Sequence, residues 1–249
     1  MTSSEAARKH WKELKDKPFK KKLEHIVTYY GVMILILTTA LVMAVGYIIH
    51  LASQKDSVLN VTCLGAAVAQ EKVQALESDF VDYMDIDREQ YEIDISTQLS
   101  SYTQGGEGAY DAAEVIMALA ASQAVDAVIS DNTTLIPYMY QRMFANLTDV
   151  LSAEQQEKYK DYFLYVDNVL VEELRDMSVI TELPEFPDPT KPEQMKEPVP
   201  IAVRIPEDSE FSKNFFPELE GYVVYGVVIN TVNLENNLAF LDYIMSAEK

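Results

Sequence analysis

Residues 111–144 read DAAEVIMALAASQAVDAVISDNTTLIPYMYQRMF, and this stretch decides the fold. DAAEVIMALAASQ has the periodicity of a helix, DAVISD is a short apolar run of strand length, and TTLIPYMYQRMF is helical again, with Asp131 or Asn132 as its cap. Working towards the N-terminus, the same alternation appears. SVLNVTCL (57–64) is a buried strand, Gly65 a turn, and QEKVQALESDFVDYM an amphipathic helix with Val73, Leu76, Phe80, Val81 and Met84 on its apolar side. YEIDIST (91–97) then alternates as a strand. Strand, helix and strand in succession predict an α/β domain, a single mostly parallel sheet with right-handed crossovers and helices on its faces.

Towards the C-terminus, residues 184–200, PEFPDPTKPEQMKEPVP, hold six of the ten prolines and read as an extended, irregular excursion. IAVRIP follows as a strand, EDSEFSKNFF as a short helix and GYVVYGVVINT as a strand. NLENNLAFLDYIM closes the chain as a helix with Leu234, Leu238, Leu241 and Ile244 on one face. No internal repeat or sustained heptad is present.

Before this domain, residues 26–51 contain no Asp, Glu, Lys or Arg. As a helix they extend about 39 Å, enough to cross a hydrocarbon core of about 30 Å with some tilt. Tyr29, Tyr30, Tyr47 and His50 stand near the two ends, where amphipathic rings settle. Lys17, Lys20, Lys21 and Lys22 precede the segment and only Lys55 follows it closely, so the positive-inside rule places the N-terminus in the cytoplasm. The apolar run exceeds the usual signal-peptide core and Ala44-Val45-Gly46 is a weak cleavage match, which favours an uncleaved anchor. The expected organisation is a basic tail over 1–25, a transmembrane helix over 26–51 and an extracytoplasmic domain over 54–249, with the membrane lipid as its first partner. In the tail, Trp11, Leu14, Phe19 and Leu23 alternate with lysines and suit either an inner-leaflet contact or a disordered topogenic segment, and Pro18 breaks any helix there.

Charge divides with the segments. Residues 1–25 carry eight Lys/Arg and four Asp/Glu, which leaves 12 basic and 36 acidic groups for the rest. Such an acidic surplus opposes nucleic-acid and anionic-lipid binding and attracts cations. The one cysteine, Cys63, forms no intrachain disulfide and sits in an apolar run as a small hydrophobe, a pattern that fits bacterial exported proteins. All three histidines, His10, His25 and His50, lie in the tail or the apolar segment. The outer domain therefore lacks Ser-His-Asp and Cys-His chemistry and the usual zinc ligand set, and no cofactor is expected. Paired carboxylates for glycoside hydrolysis exist among so many acids by abundance alone.

Two stretches carry a family resemblance. AYDAAEVIMALAASQAVDAVISDNTTLIPYMYQRMFANLTDVL resembles the helix, aspartate-led strand and following helix in the first lobe of type 2 extracellular solute-binding proteins. GYVVYGVVINTVNLENNLAFLDYIM is similar to that family's late strand, asparagine-containing turn and helix with a Phe-Leu pair. The resemblance implies a lobe of that fold, and membership would call for a second lobe inserted between the two stretches. The interval is too short and too interrupted by proline for one, so the expectation is a single-lobe derivative.

In open parallel sheets ligands gather beyond the strand carboxyl ends. Three turns are candidates there and match the rim of the family's cleft: Gly65 and Ala66 with Ala67, Thr97 and Gln98, and Asp131, Asn132 and Thr133. Structural capping explains the same residues. Gly105-Gly106-Glu107-Gly108 lacks the Lys and Ser/Thr of a phosphate loop. Asp85, Asp87 and Glu89 lack the glycine and glutamate of a calcium loop, so no metal site is expected. Asn60, Asn132 and Asn146 begin Asn-x-Ser/Thr triplets, relevant only to a eukaryotic secretory route. The resulting expectation is a non-enzymatic anchored module that binds envelope protein partners, with the tyrosines at 138–140 and 159–165 as contact surface or core. The alternative is a receptor for a small-molecule solute or cation feeding a transporter or sensor.

Overall fold

The computed structural model describes residues 18–53, 55–99, 107–176, 185–219 and 221–246. The chain divides into two compact units at Gln54/Lys55. Trp11, Leu14 and most of the basic tail lie outside the described residues, as do Gly105 and Gly106.

In the first unit a single helix, α1 (Phe19–Ser53), begins directly after Pro18. Proline suits a helix start, because the N–H it lacks has no intrahelical acceptor there. Tyr30–Ile49 has a mean hydropathy of 2.6, long and apolar enough to cross a membrane, a property an anchor shares with a signal sequence. Its Leu35, Leu37 and Leu41 are uncovered by protein. The Thr38 hydroxyl donates to the Ile34 carbonyl at 2.8 Å, so this polar side chain is satisfied within the helix.

The second unit is a mixed α/β layer structure. Its elements are β1 (Asp56–Cys63), α2 (Gln70–Tyr83), β2 (Tyr91–Ser96), α3 (Glu107–Ala121), β3 (Ala127–Asp131), α4 (Asn132–Met139), α5 (Leu147–Val150), α6 (Ala153–Tyr159), β4 (Phe163–Asp167), α7 (Asn168–Asp176), β5 (Pro198–Ile205), α8 (Glu210–Phe215), β6 (Val223–Val227) and α9 (Leu234–Ser246). The six strands lie in the order β2-β1-β3-β6-β5-β4. The β1/β2 and β1/β3 ladders are parallel, whereas β3/β6, β5/β6 and β4/β5 are antiparallel. Four strands thus point one way, but the sheet is parallel only on the side built by the alternating N-terminal half.

Alternation within the strands sends side chains to two cores. Leu59, Val61, Cys63, Ile129 and Tyr225 face one, closed by Val73 and Phe80 of α2 and Phe240 and Leu241 of α9. Val128, Val224 and Ile201 face the other, closed by Ile116 of α3 and Leu135 of α4. Burying an aromatic or branched aliphatic side chain contributes about 1.5–3 kcal/mol, so Phe80, fully buried against Phe240 with ring centroids 5.0 Å apart, is a principal contact between α2 and α9. The inner face of α9 centres on Asn237, Phe240, Leu241 and Ile244, while Leu234 and Leu238 are only half-buried.

One expectation needs correction. The helix after β3 stops at Met139 instead of running to Phe144: Arg142 turns the chain at φ 59, and Phe144 pairs with Val228 beside β6. The ring of Phe144 lies against Gly226, where a Cβ would fall 2.4 Å from it, so the close approach requires glycine. Of the two uses expected for the tyrosines, contact surface or core, Tyr138, Tyr140 and Tyr159 take the core: all three are buried. The Tyr159 hydroxyl bonds the carboxylate of Asp242. The interval read as too short for a second lobe adds β5, expected as a strand, and β4, which was not, to the same sheet.

The proline-rich segment is tied to the sheet. Tyr165 N–H on β4 donates to Pro189 O at 2.9 Å, and the Asp167 carboxylate accepts the N–H groups of Lys196 and Glu197 at 3.0 and 3.1 Å. The excursion therefore occupies backbone groups along an edge strand that would otherwise stay open. Its last prolines belong to β5, whose ladder with β6 spans only Val203–Ile205, so the missing N–H groups of Pro198 and Pro200 break no bond to β6.

Candidate functional site

Strand direction brings the carboxyl ends of β1, β2, β3 and β5 and the amino ends of β4 and β6 to one end of the sheet. Open clefts follow one another across it. One, of about 370 Å³, is lined by Gly65, Ala67, Asp131, Thr133 and the 216–219 segment Phe-Pro-Glu-Leu. That segment also walls a second, of about 210 Å³, with Glu207, Ser212, Lys213 and Gly221. A third, of about 490 Å³, shares Thr133 with the first and is lined by Asn132, Ile136, Phe186, Asp188 and Tyr222 among others.

Four of the seven candidate residues line these clefts. Gly65, Asp131 and Thr133 line the first cleft, and Asn132 and Thr133 the third. Ala66 is buried and lines none of the three, and Thr97 and Gln98 line none of them either. Sequence reasoning missed the 216–219 wall and the contribution of the excursion through Phe186 and Asp188. Pro217 and Gly221 close to a strand start were the only signals, and both mark any turn.

Asp131, Asn132 and Asp188 are engaged internally. Asp131 caps α4: its carboxylate accepts the Thr134 N–H at 2.8 Å and the hydroxyls of Thr134 at 2.7 Å and of Thr133. Burial alone would raise the Asp131 pKa, but the hydrogen bonds from Thr133 and Thr134 outweigh it and hold the carboxyl below its ordinary value. Asn132 is fastened to the start of β6, its N–H donating to Tyr222 O at 3.0 Å and its side-chain oxygen accepting Tyr222 N–H at 3.3 Å. The buried Ser130 hydroxyl donates to Leu64 O at 3.0 Å and so joins β3 to the end of β1. Asp188 keeps its charge to low pH. Hydrogen bonds from Lys191 and Thr190 hold its pKa down to about 2. The Tyr222 phenol is pushed up by burial and by the Asp188 charge, with the Arg204 guanidinium opposing from 5.8 Å over its ring.

A buried polar network lies at the opposite end of the sheet. Asp126, fully buried, accepts Asn60 N–H at 2.8 Å, Asn233 Nδ2 at 3.1 Å and the Thr231 hydroxyl. Its backbone carbonyl accepts the Asn237 amide, whose side-chain and backbone oxygens both receive the Tyr225 hydroxyl. Every partner belongs to the fold, so this cluster joins β1, β3, β6 and α9. Asp85, Asp87 and Glu89 form a turn in which Asp87 accepts Glu89 N–H at 2.9 Å, and no group of three or more metal-ligating residues converges among the described residues. Asn60 lies in β1 and Asn146 caps α5. Cys63 is fully buried, and burial pushes its thiol pKa far up.

No family model and no curated protein matches the chain. A solved structure described as "Structure of the periplasmic binding protein P5PA" is similar at 14% identity, covering 78% of this chain and 81% of that chain, with a TM-score of 0.32.

Proposed function

We propose that the chain is a single-span membrane protein whose extracytoplasmic domain, one lobe of a type 2 solute-binding-protein fold, acts by binding an envelope protein partner across the strand carboxyl ends. The observation that carries this reading is the pairing of polar side chains at that end. Asp131 and Asn132 bond to their own fold, while the wall between the clefts exposes Pro217 and Glu218 beside the half-buried Leu219. A small polar solute needs convergent unspent donors and acceptors in a concave site. A row of open clefts of mixed polar and apolar lining suits an extended protein surface better.

The single-lobe assignment is supported by β6, which returns after the excursion to lie antiparallel beside β3. The non-enzymatic reading is supported by the absence of histidine from residues 51–249 and by the buried thiol. The anchored topology is supported by the uncovered apolar length of α1 and the lysines ahead of it.

Because Cys63 is buried, single cysteines introduced elsewhere report topology without background. A membrane-impermeant maleimide on intact cells is expected to label Glu218→Cys and to reach Ser4→Cys only after permeabilisation. A photo-crosslinking residue at Glu218 or Pro187 should then give a discrete protein adduct that the same residue at Glu92 does not. Labelling of Ser4→Cys on intact cells, or adducts equally strong at all three positions, would refute the proposal.

A further inference from the structure

A cavity of about 310 Å³ lies between α2, α8 and α9. Its floor is apolar: Phe211 and Phe215, both buried and stacked with ring centroids 4.6 Å apart, line it together with Ile244. Tyr243 forms one wall, its ring held 5.4 Å from Phe80 and 5.1 Å from Tyr83. The aromatic surfaces are thus fixed before anything enters. The cavity adjoins the clefts at the strand carboxyl ends through α8, because Phe215 lines it while Phe216, the next residue, walls the first two of them.

Two carboxylates stand at this cavity without a cation. Asp79 of α2 and Glu210 of α8 both line it, and neither has a hydrogen-bond or ion-pair partner among the described residues. The one ammonium that lines the cavity, Lys72, donates instead to the Asn214 side-chain oxygen at 2.7 Å. Both carboxylates bear on the same phenol: burial first, then the Asp79 and Glu210 charges, raise the Tyr243 pKa. Unspent acceptors thus converge on an apolar pocket, the arrangement that suits a ligand with an apolar body and one charged end. The acceptors are anionic, so that end is cationic. A bare metal ion does not fit, since no group of three or more metal-ligating residues converges among the described residues. Aromatic rings beside two carboxylates suit a planar guanidinium, which stacks on the first and forks to the second.

We infer that this cavity receives an arginine side chain from a partner polypeptide, its stem on Phe211 and Ile244 and its guanidinium between Asp79, Glu210 and the Tyr243 ring. Exposed carboxylates are screened by water and salt, so one side chain alone binds weakly and the flanking residues of the partner supply the rest. The 12 basic against 36 acidic groups beyond residue 25 draw a basic segment in from a distance. The inference gives the partner's chemistry and rests on the partner reading above for the polypeptide that carries the arginine.

The test reads the cavity locally, in the full chain in a non-ionic detergent. Ala75 lines the cavity and is exposed while Cys63 is buried, so Ala75→Cys takes a trifluoromethyl label whose fluorine resonance reports occupancy. N-acetyl-arginine amide at millimolar concentration is expected to move that resonance saturably, whereas N-acetyl-citrulline amide, its uncharged isostere, leaves it in place. Asp79→Asn with Glu210→Gln should weaken the arginine response several-fold. Asp149→Asn with Glu154→Gln, which removes the same charge from α5 and α6, should leave it unchanged. Fluorotyrosine incorporation, with the Tyr243 resonance assigned by its loss in Tyr243→Phe, keeps the test valid should the label at 75 fill the cavity. No saturable response to the arginine probe, an equal response to citrulline, or a response that survives Asp79→Asn with Glu210→Gln would overturn the inference. Each of these would leave the crosslinks at Glu218 and Pro187 standing, which test the partner itself.

Discussion

Gly221 and Asn132 occupy one another's space. A Cβ on Gly221 would lie 2.2 Å from the Asn132 side-chain oxygen, and Gly221 itself sits at φ 124, in a region open to glycine and closed to other L-residues. This contact lets the chain enter β6 while Asn132 holds Tyr222 N–H. Gly221→Ala is expected to lower stability by about 1–3 kcal/mol in urea unfolding. Adding Asn132→Ala should recover only part of the loss, because the backbone strain remains. Complete recovery in the double variant would mean that the clash alone, and not the backbone, demands glycine.

Asp131 separates capping from ligand contact. Asparagine caps helices nearly as well as aspartate, so Asp131→Asn should retain most of the stability and Asp131→Ala should lose about 1 kcal/mol at pH 7. The folded-state pKa of Asp131 is depressed, so its contribution is complete above its unfolded value of about 3.9 and disappears as pH falls through the lower folded value. Urea midpoints at pH 7 and pH 3 check this. Equal losses in the two variants at pH 7 would contradict the capping role.

Glu77 works in the other direction. Its carboxylate accepts Ile95 N–H at 2.9 Å on the outer edge of β2, and burial, helped by Asp94 and Glu92, raises its pKa despite that bond. The charged form is thus disfavoured in the fold. Stability rises as pH falls through the raised folded value, and the cost is fully present above it. Glu77→Gln keeps an acceptor for Ile95 and removes the charge, so its Tm should exceed that of the parent at pH 7, with the difference vanishing near pH 4. A lower Tm at pH 7 would show that the ionised carboxylate is needed at this edge.

Asp167 fastens the proline-rich excursion to β4 through the N–H groups of Lys196 and Glu197. Asp167→Ala leaves those donors unpaired and should open the 185–197 segment locally ahead of global unfolding. Limited proteolysis is expected to cut within that segment faster in the variant, at a urea concentration where both proteins remain folded. Unchanged cleavage would place the hold on the excursion elsewhere, as in the Tyr165–Pro189 bond.

How much of this was written in the sequence follows from what each element depends on. β1, α2, β2, α3 and β3 alternate with strong periodicity and short turns, so local pattern suffices for them. β4 does not show itself that way: FLYVD follows a tyrosine-rich run, and only its pairing with β5, more than 30 residues later, makes it a strand. The sense of the sheet past β3 was likewise hidden, because direction there is set by long connections. At the candidate site, Gly65, Asp131, Asn132 and Thr133, named from the strand order, line the clefts. Thr97 and Gln98 follow edge strand β2 and line none of the three clefts, and strand order gave no sign of the 216–219 wall or of Phe186, which reach the site by tertiary packing.

The most direct test of the central claim is thermal unfolding of the full chain in detergent against amino acids, sugars, polyamines and divalent cations. A small-solute receptor held at 100 times its dissociation constant gains about 2.7 kcal/mol, a rise in Tm of about 5–10 °C for a domain of this size. With Asp131, Asn132 and Asp188 at the strand ends already engaged within the fold, no compound is expected to shift a cooperative melt. A reproducible rise with any one of them would contradict the account and make the clefts a solute site.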